Sequence, residues 1–488
     1  MNIAIIVLYL IAMVAVGLIA ARRARSAEDY RVAGRRLGPV FYTGTMAAVV
    51  LGGASTVGGI ALGHTYGLSG MWLVVAIAIA VGVLALSLFF AGRIASLKIY
   101  TVSEMLALRF GPGIASRVSS IVMLAYTVML AVTSTSAYAS IFTVLFPMGR
   151  TSAILLGSLV VIAYSCLGGM WSITLTDMMQ FLFMTVGIFA ILLPFSLSAA
   201  GGWSGLGERL DATYFSLDGM GFQSIITMFV VYGFGMLIGQ DIWQRVLTAR
   251  SPQTARWGGV LSAVYIGIFG VAGAVIGMAA AVVMPSLEVP DDAFARMAVE
   301  HVPAGLGGIV LSAGVAAMMS TASGALIAAA TVARVDVLPM LKGAVSSSDA
   351  PAGEEEVSGD RRYMIVLGVA VTIFSVLVPD VVTALTIAYD LLVGGLLVAI
   401  LGGLTWRRGN AVGAASSMIA GAIAVVIGML AFGVMANAPI YIGLAVSAVV
   451  FVAVSLATRP TDPDVLRVWD ERLAARESAA PEERASAA

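Results

Sequence analysis

Apolar residues run along this chain in long, nearly unbroken stretches, and the charged residues are gathered into the gaps between them. A helix needs about 20 mostly apolar residues to cross the hydrocarbon core of a bilayer. On that measure thirteen spans are predicted, at about residues 3–20, 39–63, 70–92, 117–147, 152–169, 176–199, 224–246, 256–285, 304–334, 363–379, 383–405, 411–434 and 437–458. Strand barrels are excluded, because their crossings are near ten residues long and alternate in polarity. The first span reads as a retained helix. Arg22, Arg23 and Arg25 follow it at once, with no small-residue cleavage site.

Two spans break the apolar pattern. The second holds Gly52, Gly53, Gly58 and Gly59, four glycines in eight residues, and the seventh holds Gly233, Gly235 and Gly239 ahead of Gln240 and Asp241. A glycine costs about 1 kcal/mol against alanine in a helix interior, so each stretch either unwinds or lets helices pack closely. Interrupted spans at matching places in two halves point to a transport site. Spans two and seven are five apart. They open two five-helix repeats, spans 2–6 and 7–11, of opposite orientation.

Composition supports an all-α integral membrane protein. Of 488 residues, 60% are hydrophobic and only 11% charged, against roughly 25% charged in a soluble domain. Residues 1–458 read as one membrane domain, 343–360 as a flexible cytoplasmic linker within it, and 459–488 as a solvated, charged cytoplasmic tail. The Gly-rich stretch 200–223 reads as an outer cap. Trp72, Tyr100 and Trp171 lie near span ends, where interfacial anchoring is the expectation.

The distribution of charge sets the expected orientation. With the N-terminus outside, 24 of the 27 Lys and Arg residues fall on the cytoplasmic side, leaving only Arg150, Arg209 and Arg296 outside. The positive-inside rule then places the C-terminus in the cytoplasm of a multi-pass cell-membrane protein. The net charge of +0 suggests no nucleic-acid partner, and no obligate protein partner is evident. Cys166 is a single cysteine and His64 and His301 lie far apart, so no disulfide framework or transition-metal cluster is expected. No phosphate loop, nucleophile–base pair or cofactor motif is present, which argues against an enzyme and against ATP coupling.

Four stretches resemble the sodium/solute symporter family, which includes sodium-coupled glucose, proline, pantothenate, sialic acid and choline carriers. Ser26-Ala27-Glu28-Asp29-Tyr30 with Ala33-Gly34-Arg35-Arg36-Leu37-Gly38 is similar to the family's first cytoplasmic loop. Gly168-Gly169-Met170-Trp171 with Thr176, Asp177 and Gln180 resembles its fifth-to-sixth span signature. Gln240 with Gln244-Arg245 resembles the end of its seventh span, and Ala317-Met318-Met319-Ser320-Thr321 its ninth-span sodium motif. The resemblance implies the leucine-transporter-type inverted-repeat fold. It also implies symport of a small organic solute with Na⁺ as the coupling ion, by alternating access. Two readings stay open beside it: a proton-coupled carrier of the same fold working through Asp177, and a transporter-like nutrient sensor.

Ala317, Ser320 and Thr321 stand at i, i+3 and i+4, on one helix face. They offer two hydroxyls and a carbonyl, neutral oxygens suited to a hard ion that must leave each cycle. By resemblance the unwound second span adds the carbonyls of Ala48 and Leu51, in a register anchored on Gly58; a shift of one residue gives other donors. Asp177 is either an acid offsetting a helix dipole or, by resemblance, part of the inner sodium path. Ser323 matches one position of a second sodium site found in some relatives, but Gly324 replaces another, so one sodium per cycle is expected.

For the solute, the second span offers Val50, Ala54, Ser55 and Thr56, and the seventh offers Gln240 and Asp241. Asp241 either faces the cavity, where it would attract a cationic amine, or faces the cytoplasm and pairs with Arg245. By resemblance, Gly239 stands where sugar carriers have asparagine and the choline carrier has tryptophan, which disfavours both solutes.

Overall fold

Leu51 is the point at which the second span stops being a helix. In the computed structural model, which describes residues 1–146, 148–342, 354–378 and 381–473, its backbone adopts φ −85°, ψ 57°. Helix α1 (Asn2–Ala21) leads through a short connecting helix α2 (Ala27–Val32) to this span. The span consists of α3 (Pro39–Val50) and α4 (Ala54–Tyr66), bent by 66°. Then follow α5 (Ala76–Ser96), α6 (Ile114–Val144) and α7 (Arg150–Ala200). The seventh predicted span is also a bent pair, α8 (Phe222–Ile238) and α9 (Gln240–Val246), at 46°. Gly239 at the bend has extended backbone, φ −60°, ψ 131°.

The remaining helices are α10 (Pro252–Val283), α11 (Leu306–Leu341), α12 (Glu354–Leu377), α13 (Val381–Thr405), α14 (Ala411–Phe432) and α15 (Ala438–Ala457). Residues 463–473 form a last helix, α16. Among the described residues nine helices are long and apolar enough to cross a membrane, or eleven if each bent pair is one span. The β pairing among them is an isolated bridge between Leu37 and Ala249.

Burial follows the wrapping of the helices. Every residue from Val310 to Val332 of α11 is buried, since α1, α3, α6 and α7 all pack against this helix. Leu430, Phe432 and Val449 on α14 and α15 are by contrast exposed, as lipid-facing positions of peripheral spans would be. Within α7, Gly169 takes φ +54°, a region L-residues avoid, and a Cβ there would lie 2.4 Å from the Tyr30 carbonyl. The long helix therefore turns at Gly169, where Tyr30 of α2 presses on it.

Three expectations change where the loops and the tail meet the helix ends. Residues 343–353 lie outside the described residues, but the segment 343–360 is helical from Glu354 onward. Asp360 is held there by both arms of Arg31, at 2.9 Å each, with Arg334 at 3.8 Å. Nor is the tail 459–488 wholly solvated. Helix α16 buries Trp469, pairs Asp470 with Arg407 and reaches the Leu97 carbonyl through Arg472 at 3.2 Å; residues 474–488 lie outside the described set. Trp171 is no lipid anchor either. Its ring carries Arg23 and Arg36 at 5.3 and 5.6 Å, and its indole N–H donates to Asp29. Tyr100 is likewise covered by Arg31 and Arg35, at 5.4 and 5.3 Å. The Trp72 side chain lies outside the described residues.

The Arg31–Asp360 bridge is buried, with side-chain exposures of 8% and 4%. Removing one partner of such a pair costs about 3–5 kcal/mol, because the other charge is left buried alone. Asp360→Asn is thus expected to lower the thermal midpoint, with faster hydrogen exchange confined to α2 and the start of α12. Unchanged exchange there would contradict this role for the bridge.

Candidate sodium and solute site

The last four carbonyls of a helix have no intrahelical partner, and the break in span two leaves such groups in the middle of the span. Each finds a hydroxyl. Ser320 donates to the Ala48 carbonyl at 2.7 Å and Thr321 to the Val49 carbonyl at 2.8 Å. Ser55 donates to the Val50 carbonyl at 2.9 Å and Thr56 to the Leu51 carbonyl at 3.2 Å. The two α11 hydroxyls also share the Ala317 carbonyl, at 3.0 and 3.5 Å.

Five neutral oxygens therefore converge between α3 and α11: the carbonyls of Ala48, Val49 and Ala317 and the hydroxyls of Ser320 and Thr321. Each hydroxyl keeps lone pairs beyond the proton it donates. Close approach depends on Gly52, where a Cβ would stand 2.3 Å from the Thr321 hydroxyl oxygen. Of the expected carbonyl donors, Ala48 meets Ser320 and Leu51 accepts from Thr56 within its own span, while the carbonyl that meets Thr321 belongs to Val49. The signal for Val49 was present: Thr45, Ala48 and Val49 share the i, i+3, i+4 spacing of one helix face.

Asp177 and Arg245, both fully buried, form an ion pair at 3.2 Å. The Thr45 hydroxyl also donates to Asp177, tying the pair to α3 nearly two turns before the break. Arg245 runs beside the oxygen cluster, since a Cβ on Gly324 would meet its guanidinium at 3.0 Å and the Val49 side chain at 2.6 Å. The partner of Arg245 is accordingly Asp177, not Asp241. Asp241 instead accepts from the Tyr126 hydroxyl at 3.2 Å, at the first turn of α9. Ser323 donates to the Ser320 carbonyl at 3.0 Å, next to the cluster.

The solute positions divide. Ala54 is exposed although it lies at mid-span, and a Cβ on Gly58 would meet nothing within 4 Å, so open space adjoins the break. Val50, Ser55 and Thr56 line its backbone. Gln240 is withdrawn from this group. Its amide N–H donates to the Tyr100 carbonyl at 3.0 Å and its oxygen accepts from the Val102 N–H at 2.8 Å. Both ends of the side chain are spent bolting α9 to the loop before residue 102. His64 is also a structural group, with its ring nitrogen 3.1 Å from the Met284 carbonyl.

The profile of the sodium:solute symporter family matches residues 30–421, well over half of the chain. The chain belongs to the sodium:solute symporter family. This symporter is 25% identical over 407 residues to the sodium/pantothenate symporter of Haemophilus influenzae, covering 80% of this chain and 82% of that one. It is 24% identical over 442 residues to a sodium/proline symporter of Staphylococcus aureus, covering 82% and 80%. Its fold matches that of a Na⁺-coupled sialic acid symporter, with TM-score 0.82 and 20% identity over 94% of this chain and 98% of that one. A nucleobase-cation-symport-1 family transporter in a closed conformation matches with TM-score 0.56 and 16% identity, over 92% and 98%. The symporter is a multi-pass membrane protein that couples solute transport to Na⁺, and it is not an enzyme.

Proposed function

We propose that this symporter imports a small organic solute by alternating access, with one Na⁺ held between the two halves of the fold. The ion would bind the carbonyls of Ala48, Val49 and Ala317 and the hydroxyls of Ser320 and Thr321. The observation that carries this reading is the convergence of those five oxygens where span two loses its helix. Broken backbone of this kind coordinates Na⁺ in inverted-repeat carriers. With the C-terminus in the cytoplasm, the Asp177–Arg245 pair would lie on the inner side of the cluster. Asp177 and Ser323 would then mark the path by which the ion leaves, and Arg245 would neutralise the acid that a second ion would need.

Thirteen crossings are reached when α7 is divided at Gly169 and α12 is counted with the eleven. The 24-to-3 partition of Lys and Arg supports an outside N-terminus and a cytoplasmic C-terminus in the cell membrane. Spans two and seven, both bent, would open the two repeats. The solute would occupy the space bordered by Val50, Ala54, Ser55 and Thr56, with Asp241 across from it. Membrane residues 1–458 would carry all of this, with 459–488 as a cytoplasmic appendage.

The reading is tested by uptake into proteoliposomes with a solute library, under an inward Na⁺ gradient and under an inward pH gradient. Accumulation that needs Na⁺ and saturates supports it. Accumulation driven by the pH gradient without Na⁺ would favour proton coupling instead.

A further inference from the structure

Asp390 lies nine residues into α13 and is 2% exposed, yet it makes no hydrogen bond or ion pair with any described residue. That distinguishes it from the other acids of the transport core. Asp177 has Arg245 and Thr45, and Asp241 has Tyr126 and the start of α9. Backbone N–H groups inside a helix are already committed to the preceding turn, so α13 itself offers Asp390 no donor.

Its surroundings are aromatic. The phenol of Tyr232 lies within electrostatic reach of the Asp390 carboxylate. The preceding residue, Tyr389, sets its ring edge-on against Tyr232 at 5.2 Å and against Tyr126 at 5.5 Å. A Cβ on Gly235 would come within 2.6 Å of the Tyr389 ring, so α8 clamps that ring in place. Three spans thus contribute a continuous tyrosine cluster that joins Asp390 to Asp241.

An unpaired carboxylate in a membrane span is expensive and marks a functional site with a partner to be named. Three partners can be weighed. Sodium prefers several oxygens at once, and those converge on Ser320 and Thr321 rather than here. A bound proton would leave a buried O–H donor still without an acceptor, which native interiors avoid. An organic ammonium satisfies both features together, because it is a countercharge to the carboxylate and aromatic rings attract cations. A solute bearing only negative charge would face two acids, Asp390 and Asp241.

We propose that Asp390, flanked by Tyr232 and Tyr389, receives the ammonium group of the transported solute, so that the solute is a small amine or a zwitterion. This rests on the reading of the chain as a solute carrier, and it narrows the solute class.

The test uses the purified full chain and thermal midpoints in Na⁺ and in K⁺. The probes are pyrrolidine hydrochloride, ethanolamine, tetramethylammonium and L-proline, against the anions N-acetyl-L-proline and pantothenate. At least one ammonium-bearing probe is expected to raise the midpoint in Na⁺, and neither anion is. Asp390→Asn should weaken that probe roughly thirtyfold or more, as loss of one partner of a buried charge pair does. Asp390→Glu should retain binding. Asp390→Asn should also raise the midpoint of the probe-free protein, since it removes an uncompensated charge, and should keep the shift caused by Na⁺ alone. The proposal is overturned if the anions bind instead, if no ammonium probe binds while Na⁺ still shifts the midpoint, or if amine binding survives Asp390→Asn. It is also overturned if the substitution abolishes only pH-driven uptake, which would make Asp390 a proton carrier. Amine binding that needs Asp390 but not Na⁺ supports the proposal and removes the sodium coupling.

Discussion

Arg245→Met is expected to destabilise this symporter by about 3–5 kcal/mol, because Asp177 would then be a buried carboxylate without its countercharge. The two side chains have exposures of 0%, and water cannot take over. Asp177→Asn alone should cost a similar amount for the mirror-image reason. The double replacement Asp177→Asn with Arg245→Met should recover much of the loss, since exchanging both charges for neutral groups can be nearly free. Thermal unfolding of the two single variants and the double variant, set out as a cycle, measures the coupling directly. If the effects simply add, the pair is not the unit described here. The same cycle has a functional reading. Arg245→Met frees Asp177 beside the sodium cluster, so sodium activation in the surviving protein should steepen or change affinity, whereas the double variant should resemble the parent.

Gly52→Ala is the second large effect. The added Cβ would stand 2.3 Å from the Thr321 hydroxyl oxygen and 2.9 Å from its Cβ, and the second of these cannot be relieved by rotating the hydroxyl. Either α3 moves away from α11 or Thr321 leaves its rotamer, and both separate the oxygens that face each other across the break. Overpacking costs typically 1–3 kcal/mol, which a protein of this size can survive. The sodium concentration for half-maximal uptake should rise roughly tenfold or more, that is by at least about 1.4 kcal/mol of lost binding. Uptake with unchanged sodium dependence would show that the close approach at Gly52 is mere packing.

What could be read from the chain beforehand follows from how far each feature depends on local pattern. Long apolar runs determine spans because a bilayer demands length, and the glycines of 52–59 and 233–239 located both bends because a helix interior tolerates glycine poorly. The shared helix face of Ala317, Ser320 and Thr321 was legible for a similarly local reason, their i, i+3, i+4 spacing. The contact of Val49 with Thr321 was not legible, because the identity of a freed carbonyl changes with the position of the break by a single residue. The hydrogen bonds of the Gln240 amide were not legible, because its partners, Tyr100 and Val102, lie 138–140 residues away. The Asp177–Arg245 pair spans 68 positions and the tyrosine cluster joins three separate helices, so neither leaves a periodic trace. The docking of α16 depended on Trp469, a lone aromatic in a stretch whose charge suggested solvent.

Coupled transport by this chain would depend on sodium held at the break in span two. The most direct measurement is equilibrium Na⁺ binding to the purified protein in a K⁺ background, by calorimetry, for the parent and for Ser320→Ala and Thr321→Ala. Each hydroxyl supplies one of five oxygens, so each variant should bind Na⁺ roughly tenfold or more weakly while keeping its fold. Parent-like sodium affinity in both variants would place the ion elsewhere and contradict the account.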